Sequence, residues 1–274
     1  MSNYNIVSVE EENKRLEQGL ELTRAYIPDG KVFLAPVDTS RDGLKVLDSA
    51  ASYWLSQFQA SLKNPDSATL IGTDLQDRFP NPPRPGIQLQ TQDITKPWPE
   101  SWKSDFDYVH QSLVLFQARP KLSEVVNSIA ELVKPGGWIE LTEPQPDDSG
   151  SEGPVFTQFI NTMRELWTLK GTPKDYASNL EGIIKDAGFV DVKSILLPVG
   201  MGAKFKKPEL ADASAENMVA GAKNIPITVK LIPGGVKSIP AEELEGWTER
   251  LEAELKSKGA IFPLRVVYGR KPDA

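Results

Sequence analysis

The stretch KVLDSAASYWL, Lys45–Leu55, decides the fold. Lys45–Asp48 carries an apolar pair and reads as a short strand. From Tyr53 the pattern turns helical, with Trp54, Phe58 and Leu62 four residues apart on one face. A strand that runs through a short turn into a helix opens a nucleotide-binding α/β sheet. Such turns usually carry glycine, which reaches positive φ and lets a ligand approach the backbone. Here the turn is Ser49-Ala50-Ala51-Ser52, without glycine. Whether it still holds a cofactor is the question the chain poses.

Working outward, further strands follow at regular intervals. Ala68–Thr73 is an apolar run ending at Asp74. Gly86–Thr91 alternates and ends near Asp93. Phe106–Val109 extends into His110, and Trp138–Leu141 runs towards Glu143. Between the last two, Pro120–Leu132 reads as a helix with proline in its first turn, stopped by Gly136-Gly137. Strands alternating with helices predict a doubly wound, mostly parallel Rossmann-like sheet. In such sheets ligands sit beyond the carboxyl ends of the strands, where Asp48, Asp74, Asp93, His110 and Glu143 fall.

Upstream, Ser8–Arg24 reads as a helix with Ser8 and Glu11 as a capping box. Downstream, helices are expected over Val155–Leu169, Asp175–Asp186, Ala211–Ala222 and Ala241–Lys258. Strands are expected over Phe189–Leu197 and Ile261–Tyr268. No repeat or linker divides the chain. One domain is expected over 1–274, with an N-terminal helical cap segment (1–40), a cofactor-binding core (41–143), and cap helices with final strands (144–274).

Composition narrows the chemistry. With no cysteine among 274 residues, disulfides, thiolate metal sites and a cysteine nucleophile are excluded. The single histidine, His110, cannot build a histidine zinc site. A formal net charge of −7 argues against nucleic-acid binding by charge. No apolar run is long enough to span a membrane, and the polar, acidic start lacks the features of a secretory signal. A cytoplasmic protein without membrane or nucleic-acid partners is expected.

Each strand-end residue has two readings. Asp48 can face a ligand or cap the next helix. Asp74 can accept from the vicinal hydroxyls of a ribose or simply shape a turn. Asp93 can accept from an exocyclic amine while Ile94 packs on a ring; alternatively it makes an Asx-turn. His110 can act as a general base or serve as a structural donor, and Glu143 is a rival acid or base. Phe159, Met163 and Trp167 can wall a substrate pocket or belong to the core.

Taken in order, KVLD, IGTDL, TQDI, SDFDYVHQ and LVKPGGWIELTE resemble the class I S-adenosylmethionine-dependent methyltransferases. The resemblance is closer to the fungal branch related to the LaeA-type regulator and to small-molecule methyltransferases of secondary metabolism. DAGFVDVKSILLPVG and IFPLRVVYGRKP stand where that family has its last two strands. The resemblance implies a seven-stranded sheet with a helical cap and S-adenosylmethionine as cofactor. By position, Asp74, with Leu75 beside it, matches the ribose site, and Asp93 and Ile94 match the adenine site. Leu47–Ala51, with Asp48, Ser49 and Ala50, match the loop under the methionine part. His110 and Gln111 lie near the methionine end or the acceptor, and Glu143 near the acceptor.

The turn departs from the family pattern: it lacks glycine and is shorter, which can bring Tyr53 into the methionine site as a reacting group. Three functions follow. The first is an S-adenosylmethionine-dependent methyltransferase acting on a hydrophobic small molecule. The second is a cyclase or isomerase of pericyclase type that has lost the cofactor. The third is a non-catalytic regulator. A homodimer through the first helix is a further expectation.

Overall fold

A computed structural model describes residues 9–49, 53–75, 79, 84–146 and 153–273. Ser8, expected to cap the first helix, and Ala50, Ala51 and Ser52 of the turn lie outside them. Among the described residues, seven strands form one sheet. They are β1 (Lys45–Ser49), β2 (Thr69–Asp74), β3 (Ile87–Thr91), β4 (Phe106–Ser112), β5 (Val133–Pro144), β6 (Val190–Met201) and β7 (Ala260–Arg270). Their order is β3-β2-β1-β4-β5-β7-β6. The first five are parallel, and β7 runs antiparallel to β5 and β6. Chain order reverses between β1 and β4, and a crevice opens at such a point.

Among the described residues, eight α-helices surround the sheet: α1 (Val9–Arg24), α2 (Trp54–Gln59), α3 (Leu122–Ala130), α4 (Pro154–Leu169), α5 (Leu180–Asp186), α6 (Ala211–Ala222), α7 (Asn224–Lys230) and α8 (Trp247–Lys258). Strand alternation sorts them by face. Leu47, Val109, Ile139 and Leu141 turn one way and pack against Val125, Val126 and Ile129 of α3 and Leu180 and Ile184 of α5. Val46 and Tyr108 turn the other way, against Phe33 and against Trp54, Leu55 and Phe58 of α2. At the β7–β6 end of the sheet, α4, α6 and α8 gather round Trp247. Burying side chains of this size stabilises by about 2 kcal/mol each before entropy is counted.

The structure corrects the expected boundaries. The helix after the turn ends at Gln59, short of Leu62. Gly136-Gly137 does not stop a helix: α3 ends at Ala130, and both glycines lie inside β5. Gly136 takes φ +78, and a Cβ on Gly137 would stand 2.9 Å from the Asp107 carbonyl. The expected helix from Ala241 begins only at Trp247, because Gly246 takes left-handed φ 61. The first helix packs on α6, where Asn217 donates to the Arg15 carbonyl at 2.7 Å.

Candidate functional site

The carboxyl ends of β1 and β4 bring Asp48 and His110 side by side in register. Asp48 Oδ1 lies 2.8 Å from His110 Nδ1, and both residues are buried. Given that bond, Nδ1 carries the hydrogen and Nε2 is the basic nitrogen. Trp54, the first residue of α2, lies flat on the imidazole, with centroids 3.9 Å apart and planes 3° from parallel. Its own indole N–H donates to the Val32 carbonyl at 2.7 Å. The helix after the turn thus fixes one imidazole face while Asp48 fixes the tautomer.

The same register continues to Glu140 on β5 and Tyr268 on β7. Glu140 accepts from the Leu34 and Ala35 amides at 2.8 and 2.6 Å. Burial pushes its carboxyl up, against the opposing pull of His110 and of those amides. Glu140 ties the segment before β1 to the sheet, a role the sequence did not signal.

One residue further along, on the opposite face, lies a different row. Thr73, Ser49 and Gln111 are register neighbours across β2, β1 and β4. All three are fully buried. The Thr73 and Ser49 hydroxyls and both polar atoms of the Gln111 amide have no hydrogen-bond partner. Buried polar groups are nearly always paired, and leaving one unpaired costs about 1–3 kcal/mol. Three neighbours in this condition, at the strand ends beside the crevice, mark a place made for a polar ligand. Asp74 follows Thr73 directly, at the end of β2.

Glu143 shares that face, one strand further on, and its state is the reverse. Oε1 accepts from the Val114 and Leu115 amides, each at 2.7 Å, and Oε2 lies 3.2 Å from the Tyr176 hydroxyl. That hydroxyl also lies 3.1 Å from the Pro144 carbonyl. Burial raises the Glu143 carboxyl to about 7, despite those amides. Glu143 therefore anchors the connection after β4. His110 and Glu143, rivals in the sequence, stand on opposite faces.

The other expected residues are placed as follows. Asp93 Oδ1 accepts from the Thr95 amide at 2.8 Å and hydroxyl at 2.7 Å, an Asx-turn. Ile94 is buried in the cluster of α3 and α5. Leu75 is exposed. The Tyr53 ring lies 4.2 Å under the Arg84 guanidinium. Phe159 is buried against Trp247 and Phe262, and Met163 packs on the same cluster, so both belong to the core rather than to a pocket wall. Trp167 stacks on Phe116 and lines a shallow surface cleft with Arg164, Lys174 and Tyr176.

Thr73, Trp54 and Glu140 were missed by sequence reading, and Gln111 was noted only through the resemblance. Thr73 and Gln111 carried a usable signal: each is polar and shares its strand phase with a buried apolar residue, Ile71 and Val109. Among the described residues, no group of three or more His, Asp or Glu is placed to hold a metal ion. Nor is any helix long and apolar enough to cross a membrane.

No protein-family profile matches the chain. Individual relatives do. N-methyltransferase sirN of Leptosphaeria maculans is 30% identical over 277 residues, covering 99% of this chain and 95% of the relative. N-methyltransferase tcpN of Claviceps purpurea is 31% identical over 273 residues, covering 95% and 94%. Among solved structures, phosphoethanolamine N-methyltransferase 2 of Haemonchus contortus, in complex with phosphomonomethylethanolamine and S-adenosylhomocysteine, superposes with a TM-score of 0.50. It is 12% identical and covers 98% of this chain and 62% of that one. That likeness is one of fold. The methyltransferase relatives do not favour the cofactor-free cyclase.

Proposed function

The chain belongs to the family of fungal secondary-metabolite methyltransferases that these relatives represent, and from that premise we propose that it is an S-adenosylmethionine-dependent N-methyltransferase of a hydrophobic small molecule. The observation that carries the cofactor reading is the unpartnered row Thr73–Ser49–Gln111. Two hydroxyls and an amide supply donors and acceptors suited to the amino and carboxylate groups of a bound amino acid. Asp74 follows as the carboxylate for the ribose hydroxyls. The adenine is assigned to the Asp93 amide and Ile94, since the Asp93 Oδ1 lone pairs are engaged in its own turn. The donor set fits the cofactor without glycine in the turn, because the polar groups come from strands and not from turn backbone.

When bound, S-adenosylmethionine supplies an electrophilic methyl group on a sulfonium. The protein's task is to align a nitrogen lone pair with it and to keep water away. His110 is the group best arranged to take the proton that the acceptor nitrogen releases. Asp48 holds Nδ1–H and leaves Nε2 basic, the same division of labour as in an Asp–His pair of a hydrolase. Trp54, stacked on the ring, holds the imidazole plane and with it the direction of Nε2. Glu143 serves by fixing residues 114–116 beside the β4 end, not by exchanging protons. The protein acts in the cytoplasm, on a small molecule rather than on nucleic acid or membrane.

Methyl-labelled S-adenosylmethionine offered with a panel of apolar amines, amides and phenols tests the reading. Label on nitrogen, abolished by Asp74→Ala, is the expected result. Label confined to oxygen or carbon overturns the choice of nitrogen, and failure to bind S-adenosylhomocysteine overturns the cofactor itself.

A further inference from the structure

Asp48 is one of two carboxyl groups that flank His110. The pairing of β1 with β4 sets Asp48 against His110, and the pairing of β4 with β5 sets His110 against Glu140. Neighbouring strands lie about 4.8 Å apart, and residues directly paired across them point to one face. The imidazole therefore stands between an aspartate and a glutamate. Asp48, His110 and Glu140 are 2%, 3% and 2% exposed. Charges at such depth act on one another with little screening by water or salt.

Glu140 is held as an acceptor. Its Oε2 takes both the Leu34 and the Ala35 amide, at 2.8 and 2.6 Å. Two amides on one oxygen favour the ionised carboxylate. Burial opposes that charge, while the His110 ring and the two amides support it. The row holds two phenols besides. Tyr108 lies two positions before His110 on the same face, and Tyr268 is the β7 neighbour of Glu140. Burial and the Glu140 charge push both hydroxyls up, so both stay neutral. Helix α2 and the segment Val32–Ala35, which pack on this face, carry no ionisable side chain. The charges that face the ring from its own row are Asp48 and Glu140.

When the acceptor nitrogen takes the methyl group, its N–H bond breaks and an Nε2–H bond forms on His110. The carbon–sulfur electron pair stays with sulfur. The imidazole becomes a cation in a buried place and keeps the proton until it passes to solvent. We propose that Glu140 is a positioning residue for this proton transfer: with Asp48 it encloses the imidazolium between two carboxylates. Asp48 sets the tautomer, and Glu140 adds the second negative charge and acts through the ring. The proposal rests on His110 as the base of the methyl transfer.

The test is steady-state kinetics on the full chain and on Glu140→Gln, Glu140→Asp, His110→Ala and the double variant His110→Ala/Glu140→Gln, with the melting temperature and S-adenosylhomocysteine affinity of each. Glu140→Gln keeps an oxygen for the Leu34 and Ala35 amides and removes only the charge. It is expected to lower kcat about 10-fold, less than loss of His110 itself, with KM, cofactor affinity and melting close to wild type. Glu140→Asp keeps the charge and shortens the reach to the amides. It should melt lower and keep kcat within about threefold of wild type. On the His110→Ala background Glu140→Gln should cost nothing further, since the charge has no imidazolium left to act on. Unchanged kcat in Glu140→Gln, or the same fractional loss with and without His110, overturns the proposal and leaves Glu140 as an anchor of the segment before β1. If Glu140→Gln does not fold, Glu140→Asp decides: kcat lowered 10-fold or more overturns the proposal, and kcat kept supports it. Full activity in His110→Ala overturns the base itself, and with it the proposal.

Discussion

Two sets of buried polar side chains lie on one face of the sheet, a strand apart, in opposite conditions. Glu143 is fully buried and engages two backbone amides and a tyrosine. Thr73, Ser49 and Gln111 are as deeply buried and engage nothing. The first condition is how a fold holds itself together; the second costs stability and persists where a ligand completes the bonding. The contrast separates structure from function among residues that look alike in the sequence, and it moves Glu143 from chemistry to support.

The largest effect expected is on the other face. His110→Ala should lower methyl transfer about 100-fold, the usual weight of a general base, with S-adenosylhomocysteine still bound. Asp48→Asn should lower it too, by favouring the wrong imidazole tautomer. If both variants keep full activity while Glu143→Gln loses it, the assignment of roles to the two faces is reversed.

Next is stability at Glu143. Glu143→Ala strands the Val114 and Leu115 amides and should cost about 3 kcal/mol in chemical denaturation. Glu143→Gln keeps an acceptor for both amides and a donor for Tyr176, and should cost little at neutral pH. An equal loss in the two variants would show that the side chain's volume matters and its hydrogen bonds do not.

A smaller effect is the pH dependence that follows from burial. A carboxyl raised on folding from 4.5 to about 7 favours the folded state while it is protonated. That contribution is whole below about pH 4.5 and is lost as pH rises through 7, amounting to about 3 kcal/mol at most. Stability of the wild type should therefore fall between pH 5 and pH 8 by more than that of Glu143→Gln. Parallel curves would remove the raised titration.

The smallest effect concerns the cap helix. Phe159→Leu should lower stability by about 1–2 kcal/mol without touching turnover, since Phe159 packs on Trp247 and Phe262. Trp167→Ala should likewise cost stability rather than turnover, since Trp167 stacks on Phe116 and packs edge-on against Tyr176.

The sheet was legible because strand and helix periods differ and because each strand ended at a turn or a carboxylate. KVLD, ATLIGT and GIQLQT could be placed from alternation and apolar runs alone. Boundaries inside β5 and before α8 were not, since Gly136 and Gly246 act through tertiary placement and left-handed φ, which composition does not announce. At the site, the line of strand-end residues was readable, but its division between faces was not. Shifting one position along a strand moves a side chain through the sheet. Alternation alone parts His110 from Gln111, but only the pairing of β4 with β5 puts Glu143 on the face of Gln111. Glu140 gave no signal, since the amides it holds, Leu34 and Ala35, lie far away in sequence.

The most direct test of the central claim, that the glycine-free turn still serves a cofactor through the unpartnered row, is one affinity measurement on three proteins. S-adenosylhomocysteine is titrated into wild type, Gln111→Leu and Glu143→Gln. Gln111→Leu should bind about 10-fold more weakly while gaining about 1 kcal/mol of stability, because an unpaired buried amide is removed. Glu143→Gln should bind as wild type does. Undiminished binding by Gln111→Leu, or no binding by wild type, would contradict it.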